Sequence, residues 1–128
     1  MIGIIVAAHE AYALELVKAA ELIAGAQPQV IPISFVPGEN QKNLFEKYNA
    51  ALNSFTDVTG VLFLCDLFGG SPFNAAGLLA AQRVDMDVVT GLNLPMLLGV
   101  YEVRSNRQLQ EVVKAAILAG IAGVRSLK

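Results

Sequence analysis

Met1-Ile2-Gly3-Ile4-Ile5-Val6-Ala7-Ala8 opens the chain as a near-continuous apolar run rich in β-branched residues, and it stops at His9-Glu10. A strand with one wet face alternates apolar and polar side chains. A run without alternation suits a strand covered on both faces, as in a parallel sheet. A helical pattern begins around Ala11, with Tyr12, Leu16, Ala19, Ala20 and Ile23 at helical spacing and Gly25 and Pro28 at its close.

The same alternation continues down the chain. Val30 to Phe35 reads as a second strand, and Pro32 within it cannot donate to a ladder, which assigns this strand to a sheet edge. Pro37-Gly38-Glu39-Asn40 is a loop. A helix follows from about Gln41 to Phe55, with Leu44, Phe45, Tyr48 and Leu52 on one face. Gly60-Val61-Leu62-Phe63-Leu64-Cys65 is the clearest central strand and ends at Asp66. Leu67-Phe68-Gly69-Gly70-Ser71-Pro72 is a tight loop, with Ser71 as N-cap and Pro72 as first helical residue of a helix to about Gln82. Asp87 to Thr90 is a fourth strand, and a short helix follows Pro95. Ser105 or Asn106 caps a longer helix to about Ala119, and Gly123 to Leu127 is expected as a last, short strand. Alternation of this kind implies right-handed βαβ units in an α/β, doubly wound, mainly parallel sheet with helices on both faces. With the Pro32 strand at an edge, the order is 2-1-3-4, and residues 1–128 form a single domain.

Composition narrows the function. The 128 residues are 55% hydrophobic and 16% charged, with a formal net charge of −2 and no basic cluster, which removes the electrostatic case for nucleic acid. One cysteine excludes an intramolecular disulfide, and one cysteine with one histidine argues against a structural zinc site. Cys65 reads as a small buried residue. No export signal is visible, and Ala115 to Val124 is too short to span a bilayer. A cytoplasmic location is expected.

In open α/β sheets, ligands and chemistry collect at the carboxyl ends of the strands. The order 2-1-3-4 makes the ends of strands 1 and 3 neighbours, so His9 and Asp66 are expected to meet there, beside the Gly69-Gly70-Ser71 turn. A carboxylate fixes the tautomer of an imidazole by accepting a proton from one ring nitrogen, which leaves the other as a lone-pair nucleophile. A glycine-rich turn entering a helix is a natural anion site. Together they suit transient phosphorylation of the ring. Taken singly each part is ordinary: Asp66 as a turn former, Gly-Gly-Ser-Pro as a strand-to-helix turn, Glu10 as a solvated carboxylate, Asn74 and Asn93 as site-lining or turn-completing residues.

His9 at the end of the first strand, Phe35-Val36-Pro37-Gly38-Glu39-Asn40, Gly60 to Asp66, Phe68-Gly69-Gly70-Ser71-Pro72-Phe73-Asn74-Ala75-Ala76 and Gly91-Leu92-Asn93-Leu94-Pro95-Met96 resemble the enzyme IIA domain of the mannose-type sugar phosphotransferase system. The resemblance spans nearly the whole chain. It implies a phosphocarrier that takes a phosphoryl group from the histidine-containing phosphocarrier protein and passes it to a cognate enzyme IIB. His9 matches the histidine phosphorylated at Nε2, Asp66 the supporting carboxylate, and Gly69, Gly70 and Ser71 the phosphoryl-binding turn. The resemblance also implies a homodimer with a C-terminal strand exchanged between subunits, here near Val124 to Leu127. It implies no cofactor or metal, and contact with the membrane only through the IIC and IID components. The family commonly has Gly after the histidine, in a Thr-His-Gly run, whereas this chain has Ala8-His9-Glu10, a difference that bears on transfer rate and partner choice. With one domain, a separate IIB chain is expected.

Two other jobs fit the same architecture: a regulatory phospho-histidine module, or phosphotransfer to a dihydroxyacetone kinase. A flavin or nucleotide module is disfavoured because Ala7-Ala8-His9-Glu10-Ala11 lacks a Ser/Thr/Gly-rich phosphate loop. A response-regulator receiver is disfavoured because His9-Glu10 replaces its acidic pair.

Overall fold

The computed structural model describes residues 1–128. In chain order the elements are β1 (Ile2–His9), α1 (Tyr12–Ala24), β2 (Val30–Phe35), α2 (Gln41–Ser54), β3 (Gly60–Cys65), α3 (Ser71–Ala80), β4 (Met86–Thr90), α4 (Leu94–Val103) and α5 (Leu109–Ala122). All three strand pairings are parallel, and the order is β2-β1-β3-β4. Pro32 therefore lies on an edge strand, opposite Val6.

The unbroken apolar character of β1 has a direct consequence in the packing. Ile2, Ile4, Val6 and Ala8 enter one core with Leu62, Leu64 and Val89 and the buried faces of α1, α4 and α5. Ile5 and Ala7 enter the other with Val61, Phe63, Cys65, Leu44, Tyr48, Ala75 and Ala76. Successive strand residues point to opposite faces, so both sets must be apolar when both faces are covered. Each large aliphatic or aromatic side chain buried in this way contributes about 1.5–3 kcal/mol.

At the amino-terminal ends of the strands, Arg104 is 1% exposed. Its guanidinium donates to the carbonyls of Ile2, Pro28 and Gln29 and to Gln27 Oε1. It thereby ties the end of α4 to β1 and to the α1–β2 connection, far from the strand ends where His9 lies.

Three local expectations differ from the structure. Gly70, not Ser71, is the N-cap of α3, and Ser71 is the first helical residue. The last helix starts at Leu109 rather than just after Ser105 or Asn106, because the Glu111 carboxylate accepts the Gln108 N–H at 3.2 Å and fixes its start there. The last strand is not formed: residues 124–128 take no regular structure, and Val124 and Leu127 are 80% and 98% exposed. A strand exists only through a ladder, and within one copy of the chain this tail has no strand beside it.

Candidate functional site

The chain winds from β1 out to β2 and back past β1 to β3, so the direction of winding reverses between β1 and β3. His9 is the last residue of β1, and Asp66 directly follows β3, whose Cys65 is in register with Ala7. The Asp66 carboxylate closes the gap where the two strands separate. Its Oδ2 accepts the His9 backbone N–H at 3.1 Å and lies 2.8 Å from His9 Nδ1. A carboxylate oxygen cannot donate, so at that distance Nδ1 carries the proton and Nε2 is left with the lone pair. The His9 side chain is 42% exposed and that of Asp66 16%. The ring is thus partly open to solvent, and the carboxylate beside it is mostly buried.

The Leu67–Gly70 turn packs against the ring. Gly69 has φ +84°, the left-handed conformation required at the third position of such a turn, and the Gly70 N–H donates to the Leu67 carbonyl at 3.1 Å. The Asn74 side chain donates to the Gly69 carbonyl at 3.0 Å, clamping the turn to α3. The Gly70 amide is therefore engaged inside the turn rather than free for an anion. The N–H groups of Phe68 and Gly69 in the turn, and of Ser71 and Phe73 at the start of α3, where no side chain supplies a cap, are left outside these bonds. Gly70 also sits against the ring: a Cβ there would stand 2.9 Å from His9 Cε1. Absence of a side chain at 70 is what lets the ring lie where it does.

Other contacts come from residues to which the sequence reading gave no part in the site. The Phe35 ring meets the His9 ring edge-on, at 5.9 Å and 86°. The Tyr12 hydroxyl donates to the Leu92 carbonyl at 2.7 Å, joining the start of α1 to the loop after β4. Burial, and then the neighbouring Asp66 charge, pushes the Tyr12 hydroxyl pKa up. The same two causes raise the Cys65 thiol to about 12. Burial dominates at Tyr48 too, with Cys65 and Asp66 adding to it, and its hydroxyl donates to the Pro72 carbonyl at 2.8 Å. Asn93 caps α4 through Met96 N–H and donates to the Gly120 carbonyl, so it completes a turn and does not line the site.

An open pocket beside the ring is lined by His9, Glu10, Phe35, Val36, Pro37, Gly38 and Glu39. Glu39 is held by Lys47 and by the Val36 N–H, and the Lys47 hydrogen bond, followed by that N–H, lowers its pKa. Glu10 is exposed and has φ +55°. No group of three or more metal-ligating side chains is assembled in the chain.

A family model described as "PTS system fructose IIA component" matches residues 3–117. The chain belongs to the mannose-type enzyme IIA family of the phosphotransferase system. Among its relatives, the mannose-specific EIIAB component of Escherichia coli (strain K12) is 42% identical over 128 residues, 99% of this chain and 40% of that protein. This enzyme IIA chain thus spans well under half the length of that relative. The fructose-specific EIIA component of Bacillus subtilis (strain 168) is 36% identical over 88% of this chain and 77% of its own length. Among solved structures, phosphotransferase system component EIIA from Streptococcus agalactiae superposes with a TM-score of 0.90 at 30% identity, covering 98% of this chain and 97% of that one. The Enterococcus faecalis mannose/sorbose IIA subunit has the same fold, with a TM-score of 0.88 at 24% identity. The left-handed φ of Glu10 supplies a physical reason for glycine after the histidine in a Thr-His-Gly run: only glycine adopts that conformation without strain.

Proposed function

We propose that residues 1–128 act as one cytoplasmic enzyme IIA unit that carries phosphate on His9 between two other proteins. The observation behind this is the 2.8 Å approach of His9 Nδ1 to a mostly buried carboxylate, in a histidine whose side chain is still 42% exposed. Nε2 attacks the phosphorus of a phosphohistidine on the histidine-containing phosphocarrier protein. A new N–P bond forms, the old one breaks, and its electron pair returns to the donor's imidazole. Throughout, the Nδ1 proton stays on His9, and Asp66 offsets the positive character that the ring acquires. Backbone amides of Gly69, Ser71 and Phe73 lie at the turn beside the ring and suit the phosphoryl oxygens, with Gly70 giving the ring its space. A second transfer of the same kind passes the group to a cognate enzyme IIB. The ultimate donor is phosphoenolpyruvate, and the destination is a sugar taken up through IIC and IID components.

The unit works as a homodimer in this proposal. Ile117, Leu118, Ile121, Val124 and Leu127 are all exposed along the end of α5 and the tail, an apolar strip that a second copy would cover.

The test is incorporation of phosphate from phosphoenolpyruvate through enzyme I and the histidine phosphocarrier, beside a His9→Gln control. Acid-labile, base-stable phosphate on the natural protein and none on the variant is the expected result. A folded protein that takes up no phosphate, or a variant that takes up as much, would end the proposal.

A further inference from the structure

Glu10 is the acidic group of this site that has no partner. Of the three carboxylates around His9, Asp66 is engaged by the ring and by the His9 N–H, and Glu39 is engaged by Lys47 and the Val36 N–H. Lys47 is the one cation among the ion pairs at this edge, and it also donates to the Ser34 carbonyl, which pins it in place. Glu10 makes neither an ion pair nor a side-chain hydrogen bond, yet it lines the same pocket as the ring.

Its backbone is held in the left-handed region at φ +55° by a 2.8 Å bond from its N–H to the Phe35 carbonyl. A side chain in that conformation costs about 1 kcal/mol that glycine would not. The tether also limits where the carboxylate can go, since its Cα is fixed beside the ring. A phosphoryl group in transfer carries close to two negative charges and needs compensating positive charge. The lining of this pocket holds no lysine or arginine of its own, so a cation beside the phosphoryl group would arrive with the donor.

We propose that Glu10 is a specificity-determining residue: it pairs with a lysine or arginine that the donor phosphocarrier presents beside its phosphohistidine, and so selects donors with a basic active-site margin. This rests on His9 being the phosphoacceptor. Such a pair forms at the rim of a transient interface, where charge acts on encounter and orientation more than on the chemical step. Val36 lines the same pocket, and Tyr12, Leu67 and Phe68 are exposed apolar side chains in the segments that follow β1 and β3, so Glu10 is the carboxylate of this pocket left unpaired among mainly apolar neighbours.

The experiment is the steady-state rate of phosphoryl transfer from the phosphorylated histidine phosphocarrier to the natural protein, Glu10→Gln and Glu10→Gly, at low and high ionic strength. Glutamine removes charge and keeps the backbone strain; glycine removes both and suits the backbone. Both variants are expected to raise KM for the donor by about threefold to fivefold, with a smaller change in kcat and a flatter dependence on salt. An unchanged KM overturns the inference. So does a lowered KM, which would mean that Glu10 repels the phosphoryl group more than it attracts the donor. An effect confined to the glycine variant assigns the residue a backbone function and overturns it as well. Failure of the natural protein to accept phosphate sinks the phosphocarrier proposal and this one with it, whereas normal acceptance with unchanged KM sinks this one alone.

Discussion

Gly70→Ala is the sharpest perturbation of the site, because it adds one methyl group at a place where the backbone accepts it. Gly70 has φ −73° and ψ 164°, allowed for alanine. The new Cβ would stand 2.9 Å from His9 Cε1, 3.3 Å from the Leu67 carbonyl oxygen and 3.5 Å from Leu67 Cβ. Carbon atoms rest about 3.5–4.0 Å apart, so something must yield by roughly 0.6–1.1 Å. The turn is held by the Gly70–Leu67 and Asn74–Gly69 hydrogen bonds, whereas the ring is held by one hydrogen bond, to Asp66, and otherwise only by packing. The ring therefore moves, and a shift of that size takes Nδ1 out of hydrogen-bond range of a carboxylate now 2.8 Å away. Misplacement of a reacting group by about 1 Å costs up to about a hundredfold in rate. We expect phosphate incorporation to slow by about tenfold to a hundredfold, measured as the initial rate with the histidine phosphocarrier as donor. Stability should change little, since replacing glycine recovers about 0.4–1 kcal/mol from the unfolded chain against the cost of the displaced ring. Gly77→Ala is the control on the same helix: a Cβ there meets nothing within 4 Å. It should raise the urea midpoint by about 1 kcal/mol of stability and leave the rate alone. Transfer at the natural rate in Gly70→Ala would refute the idea that ring position depends on the bare Gly70 backbone.

Three further outcomes are expected. Asp66→Asn keeps an acceptor for the His9 N–H groups but removes the charge, so transfer should slow by about tenfold to a hundredfold while the fold persists; equal rates would remove Asp66 from the mechanism. Arg104→Ala empties a buried volume and strands the carbonyls that the guanidinium bonds, so urea unfolding should show a loss of about 3–5 kcal/mol; an unmoved midpoint would mean that Arg104 does not join α4 to β1 and the α1–β2 connection. Cys65 is 0% exposed, and burial, followed by the Asp66 charge, raises its thiol to about 12, so alkylation near pH 8 should be slow in the native protein and fast in denaturant. Because the folded thiol holds its proton more tightly than the unfolded one, its contribution to stability is full below the ordinary value of 9.0 and is lost as pH climbs towards about 12. Rapid native-state labelling would contradict the burial.

The sequence by itself determined the parallel sheet, its order and the meeting of His9 with Asp66. An apolar run without alternation allows only a doubly covered strand, and Pro32 allows only an edge; with those two constraints the ends of β1 and β3 become neighbours. His9 and the Asp66 carboxylate were legible because each terminates a strand, where chain position translates directly into location. Tertiary structure alone decided what surrounds them. Phe35, Tyr12 and Glu39 reach the site through contacts between separate elements, which leave no periodic mark in the chain. The same holds for Gly70, whose importance lies in a ring 61 positions earlier and not in its own φ. Helix ends shifted for a local reason, since Gln108 with Glu111 offered a better start than Ser105 or Asn106. The tail from Val124 to Leu127 has strand-like composition but no strand beside it in the chain, and β-structure is a property of a pair, not of a segment.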